Sequence, residues 1–342
     1  MPGYTPGEQI ADLTKLNTNE GAFPPSARVR AALSAIADES LRLYPDPTSR
    51  GLRAVAAARY GVAADEILAG NGSDDCLTVL YRGFLDAGDR VACPWPTYGL
   101  YSTLAALQGA ELVRLPFVVE GRRFGLPPDL TGQRAKMIIL ANPNNPTATL
   151  VPVEALRALC DEAKDAVVVV DEAYVDFALG AGVDASMLPY LRQHENLVVL
   201  RTMSKSFSLA GARLGLLFAA APVIEQLTKV KDSYNVNAIT QAIGIAALED
   251  RAYHADCVGR TLDERARLEA ALDALGLTWP ESAANFLLVE LGERAEEIYR
   301  SLKTSGLLVR WWSAPELRTK LRISVGRPAD NDRLMVALRP LV

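Results

Sequence analysis

The sequence predicts an α/β protein. A large domain would carry a mostly parallel sheet sandwiched by helices, joined to a smaller α+β domain and an extended N-terminal arm. Three observations carry this prediction. From residue 67 to about 236, short apolar runs alternate with helical patterns, the signature of strand–helix–strand units. One run, Val167–Val170, is all valine, as expected of a central strand covered on both faces. From about residue 237 the texture changes to long Ala-, Leu- and Arg-rich helices followed by further short strands. The implied divisions are an arm over 1–30, a large domain over 31–236 and a small C-terminal domain over 237–342, joined by a long helix.

Taken in order, the arm is rich in Pro, Gly, Asn and Thr and is expected to be extended. Val29, Leu33 and Ile36 at helical spacing predict one helix near 26–40. LYPDPTSRGL is a proline-punctuated loop, followed by an Ala-rich helix from about 50 to 60. ILAGNGSDD gives way to the helical CLTVLYRGFL. DRVACPWPTY predicts a strand, a proline turn and a helix that ends at Gly109. AELVRLPFV is a strand, and AKMIILANPNNP is a strand that ends in a turn. Pro152 opens a helix in VPVEALRALCDEA. DAVVVVDEAY, NLVVLRTMSKS and ARLGLLFAA are buried-strand patterns. Two helices fill about 237–275. WPESAANFLLVEL, a helix at 293–305, GLLVRWW and KLRISVG make the smaller unit.

Composition narrows the function. The 342 residues carry 36 Lys and Arg against 41 Asp and Glu, a net charge of −5, so a nucleic-acid partner is disfavoured. No apolar run reaches the ~18 residues of a membrane span. The first residues lack the basic flank and apolar core of a signal peptide, so a cytoplasmic protein is expected. Cys76, Cys93, Cys160 and Cys257 lack metal-ligand spacing and are expected to be buried in a protein of a reducing compartment. No metal is expected. Histidine, the commonest general base, occurs only as His194 and His254. Neither sits in a recognisable motif, and both are expected in surface or capping roles. The protons of any catalysed reaction must then be carried by something else.

Ligands of open α/β sheets sit at the carboxyl ends of strands. In this chain those ends carry polar residues that a buried strand does not need. Asn142 and Asn145 follow MIILA, Asp171 and Tyr174 follow the valines, Thr202, Ser204 and Lys205 follow LVVL, and Arg213 opens a further strand. A lysine in such a turn can form a Schiff base with a carbonyl. Asp171 is expected to be buried, and a buried carboxylate needs a cationic partner. A protonated pyridine nitrogen would serve, which is how proteins hold pyridoxal phosphate as an electron sink.

The segments KLNTNEGAFPPS, YPDP, GNGSDD, PTYGLY, NPNNPT, DEAYVDF, RTMSKSFSLAGARLG, NFLLV, GLLVR and LRISVG run through nearly the whole chain. In order and spacing they resemble the class I/II aminotransferases, pyridoxal-phosphate enzymes of fold type I, and most of all the histidinol-phosphate branch of that family. The resemblance implies pyridoxal 5′-phosphate as cofactor and a homodimer with shared sites. It implies that Lys205 binds the cofactor covalently and moves the proton, and that Asp171 keeps the pyridine nitrogen protonated. Asn145 and Tyr174 would hydrogen-bond the 3′-oxygen, and Tyr98 would stack on the ring. Gly72, Ser73 and Asp74 at a helix start, with Thr202, Ser204 and Arg213, would hold the cofactor phosphate, aided by Tyr44 of the neighbouring subunit.

On the substrate side the resemblance implies Arg322 and Arg310 as a pair for a substrate phosphate or carboxylate, with Tyr4, Asn19 and Tyr234 around the rest of the molecule. The implied reaction interconverts histidinol phosphate and 2-oxoglutarate with imidazole-acetol phosphate and glutamate. An aromatic amino-acid aminotransferase and a threonine-phosphate decarboxylase are alternatives on the same scaffold. A non-enzymatic cofactor-binding regulator is disfavoured by the net charge and by the lack of a DNA-binding extension. The departures from the pattern, Ala148 after NPT and Asp75 in GNGSDD among them, lie near the substrate side and touch specificity more than catalysis.

Overall fold

A computed structural model describes Gly3 and residues 5–342. Seven strands form the main sheet: β1 (Ile67–Gly70), β2 (Arg90–Trp95), β3 (Glu111–Pro116), β4 (Met137–Ala141), β5 (Val167–Asp171), β6 (Leu197–Thr202) and β7 (Gly215–Phe218). Their order is β1-β7-β6-β5-β4-β2-β3. β7 runs antiparallel to both of its neighbours, β1 and β6, and β2 to β6 pair in parallel with β3 at the edge. The mostly parallel sheet is therefore present.

Alternation along the strands feeds two apolar layers, one on each face. Val168 and Val170 of β5 join Ile138, Leu140 and Val199 in one. Val167 and Val169 join Met137, Ile139, Val198 and Leu200 in the other. A strand buried on both faces has no use for a polar alternation, hence the unbroken valine run.

A third apolar cluster belongs to the C-terminal part. It surrounds the antiparallel pair β8 (Phe286–Glu290) and β9 (Lys320–Ser324) and includes Leu268, Leu272, Ile298, Leu302 and Leu334. The arm is tied into it. Thr14–Lys15 pairs in parallel with Leu307–Leu308, and Leu16 is buried among the same side chains. The helix Pro328–Leu338, not anticipated from the sequence, closes this cluster through Leu334, Met335 and Leu338.

The structure revises two expectations. The helix placed at 26–40 is two helices, Ala27–Ser34 and Asp38–Arg42. Ala37 between them is extended, and Asp38 and Glu39 open the second helix, where acidic side chains suit the positive end of its dipole. The change of core does not fall at residue 237. Val236, Ile243, Ala246, Ala247 and Leu248 pack with the main sheet. The core changes only along the helix Arg251–Asp273, whose Leu268 and Leu272 reach the C-terminal cluster. Helical periodicity reports an apolar face but does not say which layer that face meets. Among the described residues, no helix is long and apolar enough to cross a membrane.

Candidate active site

A cleft of about 660 Å³ opens at the carboxyl ends of the parallel strands, between them, the arm and the C-terminal part. Ser73, Asp74, Tyr98, Asn145, Asp171, Tyr174, Thr202, Ser204, Lys205, Arg213, Arg310 and Arg322 all line it. Residues from widely separated strand ends are thus brought into one space.

Asp171 ends β5 at the floor and is 4% exposed. Its Oδ2 accepts a 2.9 Å hydrogen bond from the Tyr101 hydroxyl, and its Oδ1 accepts from the Ala173 amide at 3.1 Å. Burial pushes its pKa up to about 6. Lys205 follows β6. Its Nζ donates to the Thr18 carbonyl at 2.9 Å and lies 5.6 Å from the centroid of the Tyr174 ring. Burial, reinforced by the positive charge of Arg322, lowers the lysine to about 8. The Tyr174 hydroxyl accepts from Asn19 Nδ2 at 3.2 Å, and burial raises the tyrosine above its ordinary value.

The cleft lining around Ser73, Thr202, Ser204 and Arg213 has the donors to hold an anion. Gly72 sits at φ 91°, directly before the helix Ser73–Phe84, whose first amides have no partner within the helix. A Cβ on Gly72 would lie 2.4 Å from Nη2 of Arg213, and at this φ a side chain is strained, so a larger residue would push Arg213 aside. Arg213 donates to Ser204 Oγ at 3.3 Å and to Asp74 Oδ2 at 3.3 Å. Thr202 Oγ1 donates to Ser204 Oγ at 3.0 Å. Tyr98 turns its hydroxyl to Asp74 Oδ1 at 3.2 Å, and its ring meets Tyr101 edge-on at 5.6 Å.

The arginine pair lines the same cleft. Arg310 and Arg322 exchange backbone hydrogen bonds of 3.0 and 2.9 Å across an antiparallel bridge, which points both side chains the same way. The Arg322 guanidinium donates to Asn145 Oδ1 and, at 2.6 Å, to the Asn17 carbonyl. Arg310 donates to the Thr5 and Pro6 carbonyls of the arm at 2.9 and 3.1 Å and stands 5.3 Å from the Trp312 ring centroid.

Other expected residues fall elsewhere. Asn19 is buried one contact behind the cleft, bonded to Tyr174, Ser324 and Asn285. Tyr234 does not line the cleft of its own chain. It is 44% exposed and stacks on Tyr44, itself 79% exposed, at 4.3 Å. Tyr4 lies outside the described residues.

The histidines depart from their expected surface roles. His194 is buried and follows a short 3-10 turn instead of ending a surface helix. His254 is helical as expected, but its ring stacks on Phe207 at 4.1 Å and its Nε2 lies 3.4 Å from Asp176. A helical period gives no warning of a neighbour supplied by the distant lysine turn.

Three features went unseen in the sequence. Tyr101, the donor to Asp171, occupies an ordinary apolar helix position. Thr18 and an ion pair between Lys15 and Glu20 bring the arm into the cleft. Trp95 on β2 donates to Glu316, which bridges the main sheet and the C-terminal part. Among the described residues, no group of three or more His, Cys, Asp or Glu side chains is placed to hold a metal ion. The donor set, a helix start beside Arg213, a buried carboxylate and a lysine of lowered pKa, could instead hold a phosphorylated pyridine aldehyde.

This fold is that of a transaminase, and the chain belongs to the class I and II aminotransferases, whose family model matches residues 11–338. Among its relatives, the histidinol-phosphate aminotransferase of Microcystis aeruginosa is 41% identical, over all of this chain and 96% of that protein. The enzyme of the same name from Synechocystis is 40% identical over 99% of this chain and 95% of its own length. Among solved structures, the histidinol-phosphate aminotransferase of Sinorhizobium meliloti in complex with pyridoxal 5′-phosphate superposes with a TM-score of 0.88 at 27% identity. It covers 96% of this chain and 90% of that one.

Proposed function

We propose that this chain is a pyridoxal-phosphate-dependent histidinol-phosphate aminotransferase. It would interconvert histidinol phosphate and 2-oxoglutarate with imidazole-acetol phosphate and glutamate. The observation that carries the substrate is the Arg310–Arg322 pair, which lines the same cleft as Arg213 but stands on a different element, across an antiparallel bridge. One cleft then has cationic groups beyond Arg213, as a phosphorylated cofactor and a phosphorylated substrate together require. Two guanidiniums suit a phosphate dianion better than they suit a singly charged carboxylate. The full-length relatives are enzymes named for that substrate.

When bound, the cofactor supplies an electrophilic aldehyde and a ring that takes up the electron pair left by Cα deprotonation. The protein's own groups do the rest. Asp171, a buried carboxylate, would keep the ring nitrogen protonated, and that cation would in turn relieve its burial. Lys205 offers a neutral amine near pH 8, able to attack a carbonyl and afterwards to take and return a proton. The amides at the start of the Ser73–Phe84 helix, Thr202, Ser204 and Arg213 would hold the cofactor phosphate. Tyr98 would cover the ring, and Tyr174 and Asn145 would hydrogen-bond its 3′-oxygen. Asn19 holds the Tyr174 hydroxyl in place.

We further infer a cytoplasmic homodimer. Leu41, Leu43, Tyr44 and Tyr234 are all exposed, an apolar group that a second copy would cover. The four cysteines are free and buried, which suits a reducing compartment.

The test has two arms. Borohydride reduction of protein incubated with pyridoxal phosphate, followed by peptide mapping, must place the cofactor on Lys205. Steady-state assays with histidinol phosphate, phenylalanine and tyrosine must give the highest kcat/KM for histidinol phosphate. A preference for the aromatic amino acids, or carbon dioxide release without a 2-oxo acid acceptor, would overturn the substrate.

A further inference from the structure

The strand ends that carry the cleft residues also carry a second set of polar groups on the opposite face of the sheet. Side chains alternate along a strand, so the neighbours of cleft residues point away from the cleft. Glu172 follows Asp171, and Arg201 precedes Thr202. Both are buried, Glu172 at 1% and Arg201 at 6% exposure. Ser206 follows Lys205, and Asp176 opens the short helix Val175–Gly180 just after Tyr174.

These neighbours bond to one another. Arg201 donates to Glu172 Oε2 at 2.9 Å from Nε and at 2.8 Å from Nη2. It reaches Asp176 Oδ1 at 3.2 Å and Ser186 Oγ at 2.9 Å. Ser206 Oγ donates to Asp176 Oδ2. His254, on the helix Arg251–Asp273, places Nε2 3.4 Å from the same oxygen. Its Nδ1 lies 3.0 Å from Nη2 of Arg59, and its ring stacks on Phe207, two residues after Lys205. The Tyr60 ring covers Arg201 from the helix Arg50–Tyr60. Asp176 thus has Arg201 on β6, Ser206 on the lysine turn and His254 on the long helix as partners, with Glu172, Arg59 and Tyr60 beyond them.

We propose that Asp176 is a positioning residue for the amino-transfer reaction. Through Ser206, Arg201 and His254 it fixes the lysine turn between β6 and the long helix, and so sets where Lys205 Nζ stands. This rests on the reading of Lys205 as the reactive lysine. Ser206 is covalently next to Lys205, so a shift of Asp176 is passed directly to the turn. The long helix also reaches the core behind β8 and β9, the strand pair that includes Arg322. The same carboxylate therefore ties the lysine to the element that presents the substrate-side arginine. Burial pushes the Asp176 carboxyl up. The His254 and Arg201 contacts and the Ser206 hydrogen bond more than reverse this and hold it well below the usual carboxylate range, so it stays anionic.

The experiment is a single-turnover measurement on holoenzyme, with glutamate as donor, following loss of the visible band of the bound cofactor. A rate constant belongs to the folded, loaded fraction, whereas misfolding lowers only the amplitude. Asp176→Asn is expected to slow the limiting rate constant by about 10–100-fold, the scale for a small misplacement of a reacting group. The half-saturating glutamate concentration should stay within about twofold, since Arg322 is untouched. Ser206→Ala and His254→Asn, which each remove one partner only, should slow it by at least about threefold with the same split. If Asp176→Asn does not fold, these two variants decide by themselves. Wild-type rate constants in folded variants, or parallel losses in rate and glutamate saturation, would overturn the positioning role while leaving the proposed function intact. A wild-type protein that forms no visible band with pyridoxal phosphate would overturn that reading and this one with it.

Discussion

The Tyr101 hydroxyl donates a 2.9 Å hydrogen bond to Oδ2 of Asp171 at the floor of the cleft. Both side chains are buried, so the carboxylate is held by a neutral donor and the Ala173 amide, with no cation among the described residues bonded to it. This arrangement orients Asp171 without neutralising it. A cationic ring nitrogen is then the partner that the site still needs.

Stability of the cofactor-free protein should report this directly. The folded-state pKa of Asp171 is raised from 3.8 to about 6. A raised carboxyl binds more protons in the folded state, so its stabilising contribution is full below about pH 4 and is lost as pH rises through about 6. A shift of this size corresponds to on the order of 3 kcal/mol. Wild-type and Asp171→Asn proteins should therefore diverge in denaturant unfolding between pH 4 and 7, with the wild type losing stability relative to the variant. A difference that does not change with pH would contradict the assignment.

Lys205 should be the fast-reacting amine of the cofactor-free protein. Its pKa is lowered to about 8, against roughly 10.4 for an ordinary lysine. Acylation by a small amine reagent, followed by peptide mass spectrometry, should give a half-maximal rate at Lys205 near pH 8. Exposed lysines should still be accelerating at pH 10. With pyridoxal phosphate bound, Lys205 should be protected.

The two substrate-side arginines should separate kinetically. Arg322 is buried against Asn17 and Asn145, whereas Arg310 leans on the arm carbonyls. Arg310→Ala is expected to raise KM for histidinol phosphate by roughly 10–100-fold, the value of a hydrogen bond to a charged group. It should change kcat far less. Arg322→Ala should impair both half-reactions, because glutamate needs the same guanidinium. Steady-state kinetics with each substrate varied in turn would check the pair.

Gly72→Ala should damage the anion cradle. At φ 91° and ψ 163° an alanine is strained by about 1–3 kcal/mol, and its Cβ would displace Arg213. Fluorescence titration should show weaker binding of pyridoxal phosphate, and unfolding curves should show a matching loss of stability. Unchanged cofactor affinity would rule out this corner as the phosphate site.

Tyr44 tests the shared site. It is 79% exposed and does not line the cleft of its own chain. Tyr44→Phe is nevertheless expected to weaken cofactor binding by several-fold, about 1 kcal/mol for one lost hydrogen bond. Sedimentation should still give a dimer. A monomeric wild type, or a variant with full affinity, would count against cofactor sharing between subunits.

The positions along strand ends were legible because they broke a pattern. Asp171 after four valines, and Lys205 in a Ser-rich turn after LVVL, stand where apolar periodicity gives no reason for charge. Tyr101 and Asp176 broke no pattern. Tyr101 fills a helix position that any large apolar residue could take, and Asp176 has the place of a helix-opening carboxylate with solvent around it. His254 was expected in a surface or capping role for the same reason. Its partners Phe207, Asp176 and Arg59 come from three other segments of the chain.

The sequence by itself determined the alternation of buried strands and helices, and with it the sheet and the edge at which polar residues collect. It also determined the residue types at that edge, because local periodicity and turn chemistry act over a few neighbouring residues. The tertiary structure alone decided what lies across each gap. It set the Arg310–Arg322 bridge, the arm's Thr18 carbonyl on Lys205, and the carboxylate of Asp176 under the lysine turn. It also moved the change of core into the long helix, away from residue 237. The first three contacts join residues 12 to 187 positions apart. Their energies depend on burial and charge in three dimensions, which the spacing of residues along a chain does not encode.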